Sequence, residues 1–402
     1  MTSTQSTAQA TQRYLVLLRP DDPAEGARAL AELAQVAVIS RAADAQAARR
    51  APCALVFDRI GAARVHCTEQ TRQRLADAAA AGNSAILAIE PERTVYAIAA
   101  GSRDPAPSHR RSGSRADPES TWGVRAVGAD ASPQTGKGIR IAVLDTGLDL
   151  SHPDFADRAI VSRSFVEGQA VQDGNGHGTH CAGIAAGPAS PGSQPRYGVA
   201  GEAELYVGKV LGDEGSGGDG GILEGIDWAI EHGCHIVSMS LGSPVEPGQR
   251  YSAVFEEVAR RALAAGTLIV AAAGNESHRP DSVAPVGHPA NCPSILAVAA
   301  VDPELRVAPF SCAGLEGDGG EVNIAAPGVD ILSAWPAPEL HRSISGTSMA
   351  TPFVAGVAAL HAQADPSARA ARLGERLAQS AQPLRDSARD VGAGLARAPS
   401  GT

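Results

Sequence analysis

From Gly138 onward, short apolar runs alternate with segments of helical composition, and this alternation constrains the fold more than any other feature. The apolar runs span 139–144, 205–211, 235–241, 267–272 and 295–301. The helical segments lie at 178–186, 221–232, 251–265 and 347–362. Strands that are apolar along their whole length are typical of parallel sheets covered on both faces. The pattern therefore predicts an α/β fold in which helices cover both faces of a parallel sheet.

Three chemically distinct side chains lie where these elements begin or end. Asp145 follows the first apolar run, in Ala-Val-Leu-Asp-Thr-Gly. His177 lies in Asn-Gly-His-Gly-Thr-His and Ser348 in Gly-Thr-Ser-Met-Ala-Thr-Pro, and each opens a helical segment. Because sites of α/β sheets form at the carboxyl ends of the strands, we expect these side chains to meet.

An acid, an imidazole and a hydroxyl together make a nucleophilic triad. In that arrangement His177 takes the proton of Ser348, and Asp145 holds the imidazole in the required tautomer. Each residue alone has an ordinary structural explanation: a helix-capping serine, a hydrogen-bonded histidine and an aspartate in a turn. The complete set, in the order Asp, His, Ser, favours catalysis.

The three motifs, in this order, resemble those of the subtilisin-like serine proteases (subtilases), and the resemblance extends from Trp122 to Ala398. It implies a serine endopeptidase that works through an acyl-enzyme intermediate. It also implies that Asn275, after Ala-Ala-Ala-Gly, donates to the oxyanion, as does the Ser348 N–H. Negative charge on the former carbonyl oxygen requires such donors. A turn residue following Gly274 is the alternative for Asn275.

The resemblance also implies where a peptide would bind. One edge of the cleft would be Gly215, Ser216 and Gly217, and the other Ser240, Leu241 and Gly242. The pocket for the side chain before the scissile bond would be lined by Ala272, Ala273, Gly274 and Gly287. These small residues leave room for a large apolar group, although the nearby Glu276 could tolerate a basic one.

Residues 13–100 have the order strand, helix, hairpin, helix, strand, which predicts a small α+β domain. Such a unit before a peptidase domain resembles the inhibitory propeptide of the subtilases; an unrelated accessory domain is the alternative. Residues 101–120 are rich in Pro, Ser, Arg and Gly and are predicted to form a linker. The peptidase domain is expected at 121–399. The propeptide hypothesis predicts self-cleavage between about Ile98 and Pro118.

Charge and hydropathy exclude several partners. The net charge of −10 argues against a nucleic-acid surface, which requires clustered basic residues. Apolar windows are too short for a membrane span. The first ten residues lack the basic and apolar stretches of a secretory signal, so a cytoplasmic location is expected by default.

Metal and disulfide chemistry receive little support from the spacing of the ligand residues. The six cysteines form no CxxC pair, and reduced thiols are expected, with a Cys292–Cys312 bond as the alternative. His177 and His180 lack the glutamate and the spacing of a zinc HExxH motif. By resemblance Asp154 matches a calcium ligand, with Asp149 nearby. Residues 187–198 nevertheless lack the Asn-bearing calcium loop. No cofactor is expected for catalysis, and a structural calcium ion stays an alternative that this segment disfavours.

Three other functions remain compatible with the sequence. The first is a dedicated protease of the same fold that trims a leader or precursor peptide. The second is a serine esterase with only incidental peptide cleavage. The third is a non-catalytic binding module, against which the complete triad and Asn275 argue.

Overall fold

The computed structural model describes residues 11–19, 23–39, 53–82, 84–98, 119–192, 194–314 and 319–400. Its contacts divide the chain into two compact units, residues 1–93 and 94–402. The linker predicted at 101–120 lies outside the described residues except for Glu119 and Ser120, and so do residues 99–118 of the predicted cleavage interval.

The described residues of the first unit form a small mixed sheet with two helices, which confirms the α+β prediction. Its elements are β1 (Thr11–Leu18), α1 (Pro23–Ala34), β2 (Ala37–Ile39), β3 (Cys53–Phe57), β4 (Ala62–Thr68), α2 (Glu69–Ala80) and β5 (Ile86–Pro91). The strand order is β2-β3-β4-β1-β5, and β3 and β4 form the predicted antiparallel pair. Alternate residues of β1, such as Val16, face Leu30 of α1 and Leu75 of α2 in a common core.

The second unit contains the parallel sheet that the apolar runs predicted. The strands are β6 (Thr94–Ala97), β7 (Arg140–Asp145), β8 (Val161–Ser164), β9 (Glu204–Lys209), β10 (Ser216–Gly218), β11 (Ile236–Met239), β12 (Leu241–Gly242), β13 (Leu268–Ala272), β14 (Leu296–Val301), β15 (Ile324–Pro327), β16 (Ile331–Ala334) and β17 (His341–Ile344). Seven of them form one sheet in the order β15-β14-β13-β11-β7-β9-β8, and every pair in it is parallel.

Helices cover both faces of this sheet. They are α3 (Trp122–Val127), α4 (His177–Ala186), α5 (Asp219–Glu231), α6 (Ala253–Ala264), α7 (Thr347–Ala364), α8 (Ala371–Ser380) and α9 (Ala388–Val391). Val143 of β7 packs in the core formed by α4 and α7, whereas Leu144 faces Gly225 of α5. Successive side chains of a strand point to opposite faces, so one apolar strand supplies both helical layers.

Two observations concern the membrane and the thiols. In the described part of the chain, no helix combines the length and apolarity needed to cross a membrane. All six cysteines are buried free thiols, so the Cys292–Cys312 alternative is not realised.

Close packing between α7 and the segments around it generates a stability prediction. A Cβ at Gly356 would lie 2.6 Å from Val199 Cβ and 2.9 Å from Ala185 O. Alanine would gain about 1 kcal/mol of helix propensity over glycine, but overpacking a close-packed site costs about 1–3 kcal/mol. We expect Gly356→Ala to lower the thermal unfolding midpoint, measured by calorimetry.

The matched control is Gly374 in α8. A Cβ there would meet only Leu268 and Leu296 side-chain atoms, at 3.8 Å. Gly374→Ala should therefore leave the unfolding midpoint unchanged or raise it. Equal effects of the two substitutions would contradict the packing argument.

Candidate active site

Asp145 ends β7 at the carboxyl edge of the sheet and is fully buried. Its Oδ1 lies 2.8 Å from His177 Nδ1 and accepts a 2.7 Å hydrogen bond from the Thr146 N–H. A buried carboxylate requires such partners, because burying an unpaired charge is costly. The Asp145–His177 contact brings together two residues that are 32 positions apart in the sequence.

His177 opens α4 from a turn that only glycine can form. Gly176 has φ +106°, and a Cβ there would lie 2.4 Å from the Trp335 ring. Gly178 packs against the backbone of Gly147, since its Cβ would lie 2.3 Å from Gly147 O. The glycines that flank the histidine in the sequence thus let the imidazole approach Asp145.

Ser348 lies in the first turn of α7 and is fully buried. Its hydroxyl donates to Ile98 O at 2.5 Å and lies 3.0 Å from Ser240 O. His177 Nε2 is buried and has no hydrogen-bond partner among the described residues. Among the described residues, the Ser348 hydroxyl thus has the carbonyl oxygens of Ile98 and Ser240 as its partners and makes no hydrogen bond with His177 Nε2.

Asn275 contacts the same carbonyl oxygen. Its Nδ2 donates to Ile98 O at 3.1 Å. Its Oδ1 accepts from both the backbone N–H and the hydroxyl of Thr347, each at 2.9 Å. The two bonds to Thr347 determine which end of the amide faces the cleft. Thr347 was not identified from the sequence, although its position directly before Ser348 was a usable signal.

The cleft holds a strand of the chain itself. β6 lies antiparallel between β10 and β12, in a three-stranded sheet. Ala97 N donates to Gly215 O at 2.9 Å, and Ile98 N donates to Ser240 O at 3.4 Å. The two segments that the sequence predicted as cleft edges therefore flank the same extended segment, and Gly218 extends the first edge by one residue.

The side chain of Ile98 reaches Gly242, which the sequence predicted as part of one edge of the cleft. A Cβ on Gly242 would lie 3.0 Å from Ile98 Cδ1, so glycine leaves the space that the isoleucine occupies. Gly287 and Ala273 are brought together by a 2.9 Å hydrogen bond between Gly287 N and Ala273 O. Ala272 and Ala273 are both buried.

A carboxylate and a thiol meet beside Gly274. A Cβ added at Gly274 would lie 2.5 Å from Glu276 Oε2 and 2.9 Å from Cys312 Sγ. The Cys312 thiol lies 3.2 Å from Glu276 Oε2. Burial, followed by the Glu276 charge, raises the pKa of Cys312 to about 12, so the thiol stays protonated and donates to the carboxylate.

Two opposing effects act on the pKa of His177. Complete burial disfavours the imidazolium and lowers this pKa, whereas the Asp145 charge and hydrogen bond raise it. The raising effects win, and the pKa of His177 is held well above its ordinary value. Cys181 Sγ lies 3.8 Å from His177 Nδ1, and burial raises the thiol pKa, so a neutral thiol adjoins the imidazole.

His180 and Asp149 hold backbone in place beside the site. His180 Nε2 lies 3.0 Å from both Ile331 O and Arg342 O, and burial lowers the pKa of this ring to about 3. Asp149 accepts hydrogen bonds from Ser151, Gln172 and the backbone of Ala337. Burial raises the pKa of Asp149, but these bonds outweigh burial and leave it lowered.

The surroundings of Asp154 do not fit a calcium ion. The Tyr197 hydroxyl donates to Asp154 Oδ2, and His341 Nε2 lies 3.0 Å from the same oxygen. Burial, then Asp154, raises the pKa of Tyr197, so its hydroxyl remains a donor. Calcium needs six to eight oxygen ligands, and a hydroxyl donor and an imidazole occupy this carboxylate instead.

Asp173, which sequence reasoning missed, organises the turn before His177. Its Oδ1 accepts from Thr146 Oγ1 at 2.9 Å and from Gly176 N at 2.8 Å, and its Oδ2 accepts from Thr179. The Thr146 hydroxyl in turn accepts from Gly178 N. A carboxylate four residues before a helical histidine was the available signal.

Comparison with known proteins identifies the family. The profile of the subtilase family (peptidase S8) matches residues 136–395. The chain belongs to the subtilase family. It is a serine endopeptidase, and proteins or peptides are its class of substrate.

Individual relatives agree with the assignment. The chain is 40% identical to subtilisin Savinase of Lederbergia lenta over 285 residues, which cover 70% of this chain and 98% of that protein. It is 43% identical to M-protease of Shouchella clausii over 250 residues, or 61% of this chain and 60% of that protein. The solved structure of sphericase matches with a TM-score of 0.60 and 33% identity, over 70% of this chain and 99% of sphericase.

The raised pKa of His177 generates a pH prediction. A general base must be neutral to accept a proton, so if His177 has that role, kcat/KM should fall as pH drops through this pKa. Asp145→Asn removes the charge that raises the pKa while burial continues to lower it. We expect the acid limb of the kcat/KM profile to move to lower pH, with a loss in plateau kcat of about 10⁴-fold from the altered tautomer.

Asp149→Asn is the matched control. Asp149 is a buried aspartate with no hydrogen bond to His177. Its substitution should move the midpoint of the acid limb far less than Asp145→Asn does, because it removes no charge that is hydrogen-bonded to the imidazole. An unshifted midpoint in Asp145→Asn would show that Asp145 does not control the protonation of His177.

Proposed function

We propose that the chain hydrolyses peptide bonds through Asp145, His177 and Ser348, with Asn275 as an oxyanion donor. The observation that carries the proposal is the position of Ile98 O, 2.5 Å from Ser348 Oγ and 3.1 Å from Asn275 Nδ2. One carbonyl group thus lies beside both the proposed nucleophile and the proposed amide donor, the two groups that acyl transfer brings to a substrate carbonyl.

The reaction follows from these contacts. Ser348 Oγ attacks the substrate carbonyl carbon as its proton passes to His177 Nε2, and Asp145 stabilises the imidazolium through Nδ1. Asn275 Nδ2 and the Ser348 N–H stabilise the oxyanion; an N–H in the first turn of a helix has no acceptor within that helix. The imidazolium then protonates the leaving amine. Water, activated by the same imidazole, hydrolyses the acyl-enzyme and restores the serine.

Main-chain pairing in the cleft favours a peptide substrate over a simple ester. β10 and β12 each add hydrogen bonds along an extended segment, and such bonds are indifferent to side-chain identity. A small ester would use none of them. The same pairing suits both a general endopeptidase and a protease dedicated to one precursor, so the breadth of substrates separates these two alternatives.

The side chain before the scissile bond is proposed to be large and apolar. Ile98 fills the space that Gly242 leaves open. Glu276 would attract a basic group, but its carboxylate already accepts from Cys312. A fluorogenic peptide library should show apolar residues cleaved faster than lysine or arginine at this position.

The chain is further proposed to be its own first substrate, with cleavage of the bond between Ile98 and Ala99. This bond lies at the amino-terminal end of the interval expected from the sequence. Thr94–Ala97 and Ile98 occupy the cleft as the acyl side of a substrate would. After cleavage the same main-chain pairs would retain the tail as a product, so the N-terminal unit would act as an inhibitor until it is degraded.

Replacement of the nucleophile or the base tests the mechanism. We expect Ser348→Ala and His177→Ala each to abolish casein hydrolysis with the fold retained, as judged by circular dichroism. Because triad members act as a unit, the double variant should be hardly slower than either single variant. Cleavage of casein at the wild-type rate by folded Ser348→Ala would refute the proposed role of this serine.

Self-cleavage is tested by intact mass and N-terminal sequencing of purified protein. Wild type should shorten by 98 residues and begin at Ala99, whereas Ser348→Ala should keep its full length. Asn275→Ala should mature slowly, since the loss of one oxyanion donor in subtilisin costs about 10²–10³ in rate. A wild-type protein that stays intact and fully active would mean that the N-terminal unit is an accessory domain.

A further inference from the structure

Lys209, the last residue of β9, has a completely buried side chain. Its ammonium donates to Thr146 O at 2.5 Å and to Asp213 Oδ1 at 2.7 Å, and it lies 3.5 Å from Gln172 O. A buried ammonium has lost its hydration shell, and this cost is offset only where several oxygens take the place of the lost water. These three oxygens come from three different loops beside the triad.

The hydrogen bond from the Lys209 ammonium to Thr146 O holds the turn that follows the proposed catalytic acid, Asp145. Thr146 directly follows Asp145, and Lys209 pairs with Asp145 in the β7–β9 ladder. The two residues after Lys209 also donate their N–H groups to Asp145 O, Val210 at 2.9 Å and Leu211 at 3.1 Å. Side chain and backbone of this short segment therefore hold the same turn.

The second contact leads to the histidine turn and to the substrate. Asp213 Oδ1 accepts from Gly174 N at 3.1 Å, and Asp213 O accepts from Asn175 Nδ2 at 3.1 Å. Both of these residues lie just before His177. Asp213 also begins the short loop to Gly215, whose carbonyl accepts from Ala97 N in the cleft.

Lys209 also places a positive charge near two buried carboxylates. Asp145 and Asp173 are both buried, and Thr146 donates to each of them, through its N–H and its hydroxyl. Lys209 is the buried cation whose ammonium contacts the carbonyl of the same threonine. The other titratable groups near the imidazole are Cys181 and His180, both on its own helix, and Asp145 from β7.

We propose that Lys209 is a positioning residue for peptide hydrolysis: its buried ammonium joins the Asp145 turn to the loop that presents Gly215, and offsets the carboxylate charge beneath the triad. The inference rests on the proposed roles of Asp145 and His177. The Lys209–Asp213 ion pair would then have two roles: Asp213 holds the loop to Gly215, and Lys209 supplies the positive charge. Substitutions at Lys209 and at Asp213 therefore test the two roles separately.

The decisive variant is Lys209→Met, which keeps the length of the side chain and removes its charge. Without the cation the imidazolium of His177 faces more net negative charge and becomes easier to form. The acid limb of kcat/KM should therefore move to higher pH, by about one unit if the ammonium acts from roughly 12 Å at an effective dielectric of about 20. Plateau kcat should fall at least about tenfold as the Asp145 turn loosens.

Two further variants provide the controls. Lys209→Arg retains the charge, so its acid limb should keep the wild-type midpoint even where kcat falls. Asp213→Asn removes a half-exposed negative charge, so its midpoint should move to slightly lower pH, opposite to Lys209→Met. Its KM should rise for a peptide that pairs with Gly215 and stay unchanged for a single-residue ester. All variants are produced from the full chain and compared by active-site titration and thermal unfolding.

The outcomes are distinct. Opposite midpoint shifts in Lys209→Met and Asp213→Asn, with an unshifted Lys209→Arg, support the proposal. A folded Lys209→Met with a wild-type midpoint overturns it, as does a common loss of kcat in the two lysine variants without any shift. If Lys209→Met does not fold, an unshifted or upward midpoint in Asp213→Asn overturns it. Failure of the triad itself is seen separately, as activity retained by Ser348→Ala.

Discussion

A carboxylate without access to water, at the end of a central strand, is the constraint on which the rest of the site depends. Asp145 is fully buried, and a buried charge is stable only with close partners. His177 and the Thr146 N–H are those partners. To reach them, the start of α4 must press against the strand end, and glycine at 178 permits that approach. The position of the helix start and the Asp145–His177 contact follow from this one pairing requirement.

The cleft depends on a different interaction, in which main-chain groups of the cleft edges pair with the main chain of the bound segment. β6 pairs with an antiparallel strand on each side, and these pairs fix the position of the Ile98 carbonyl in the cleft. The Nδ2 group of Asn275 faces this carbonyl because Thr347 donates two hydrogen bonds to the Oδ1 end of the same amide. Preorganised donors cost no reorganisation during a reaction, so the two bonds from Thr347 suit Asn275 to its proposed role as oxyanion donor.

The central elements could be predicted from the sequence because their burial leaves a strong apolar signal. The runs at 139–144 and 267–272 became β7 and β13 with shifts of one residue at the ends. The polar edge strand β8 (Val161–Ser164) and the partly exposed hairpin strand β17 (His341–Ile344) were missed, since neither is apolar along its length. Sequence patterns also favour an exposed lysine, so the complete burial of Lys209 could not be foreseen.

The fold class could be predicted from the sequence, and so could the proposal of which acid, imidazole and hydroxyl meet, because strand ends and helix starts leave local signals. Only the tertiary structure decided what each of them touches. It places the Ser348 hydroxyl against Ile98 O, gives His177 Nε2 no partner among the described residues, and places Tyr197 and His341 against Asp154. These contacts join residues up to 250 positions apart. Packing of distant segments sets such distances, and no local pattern records them.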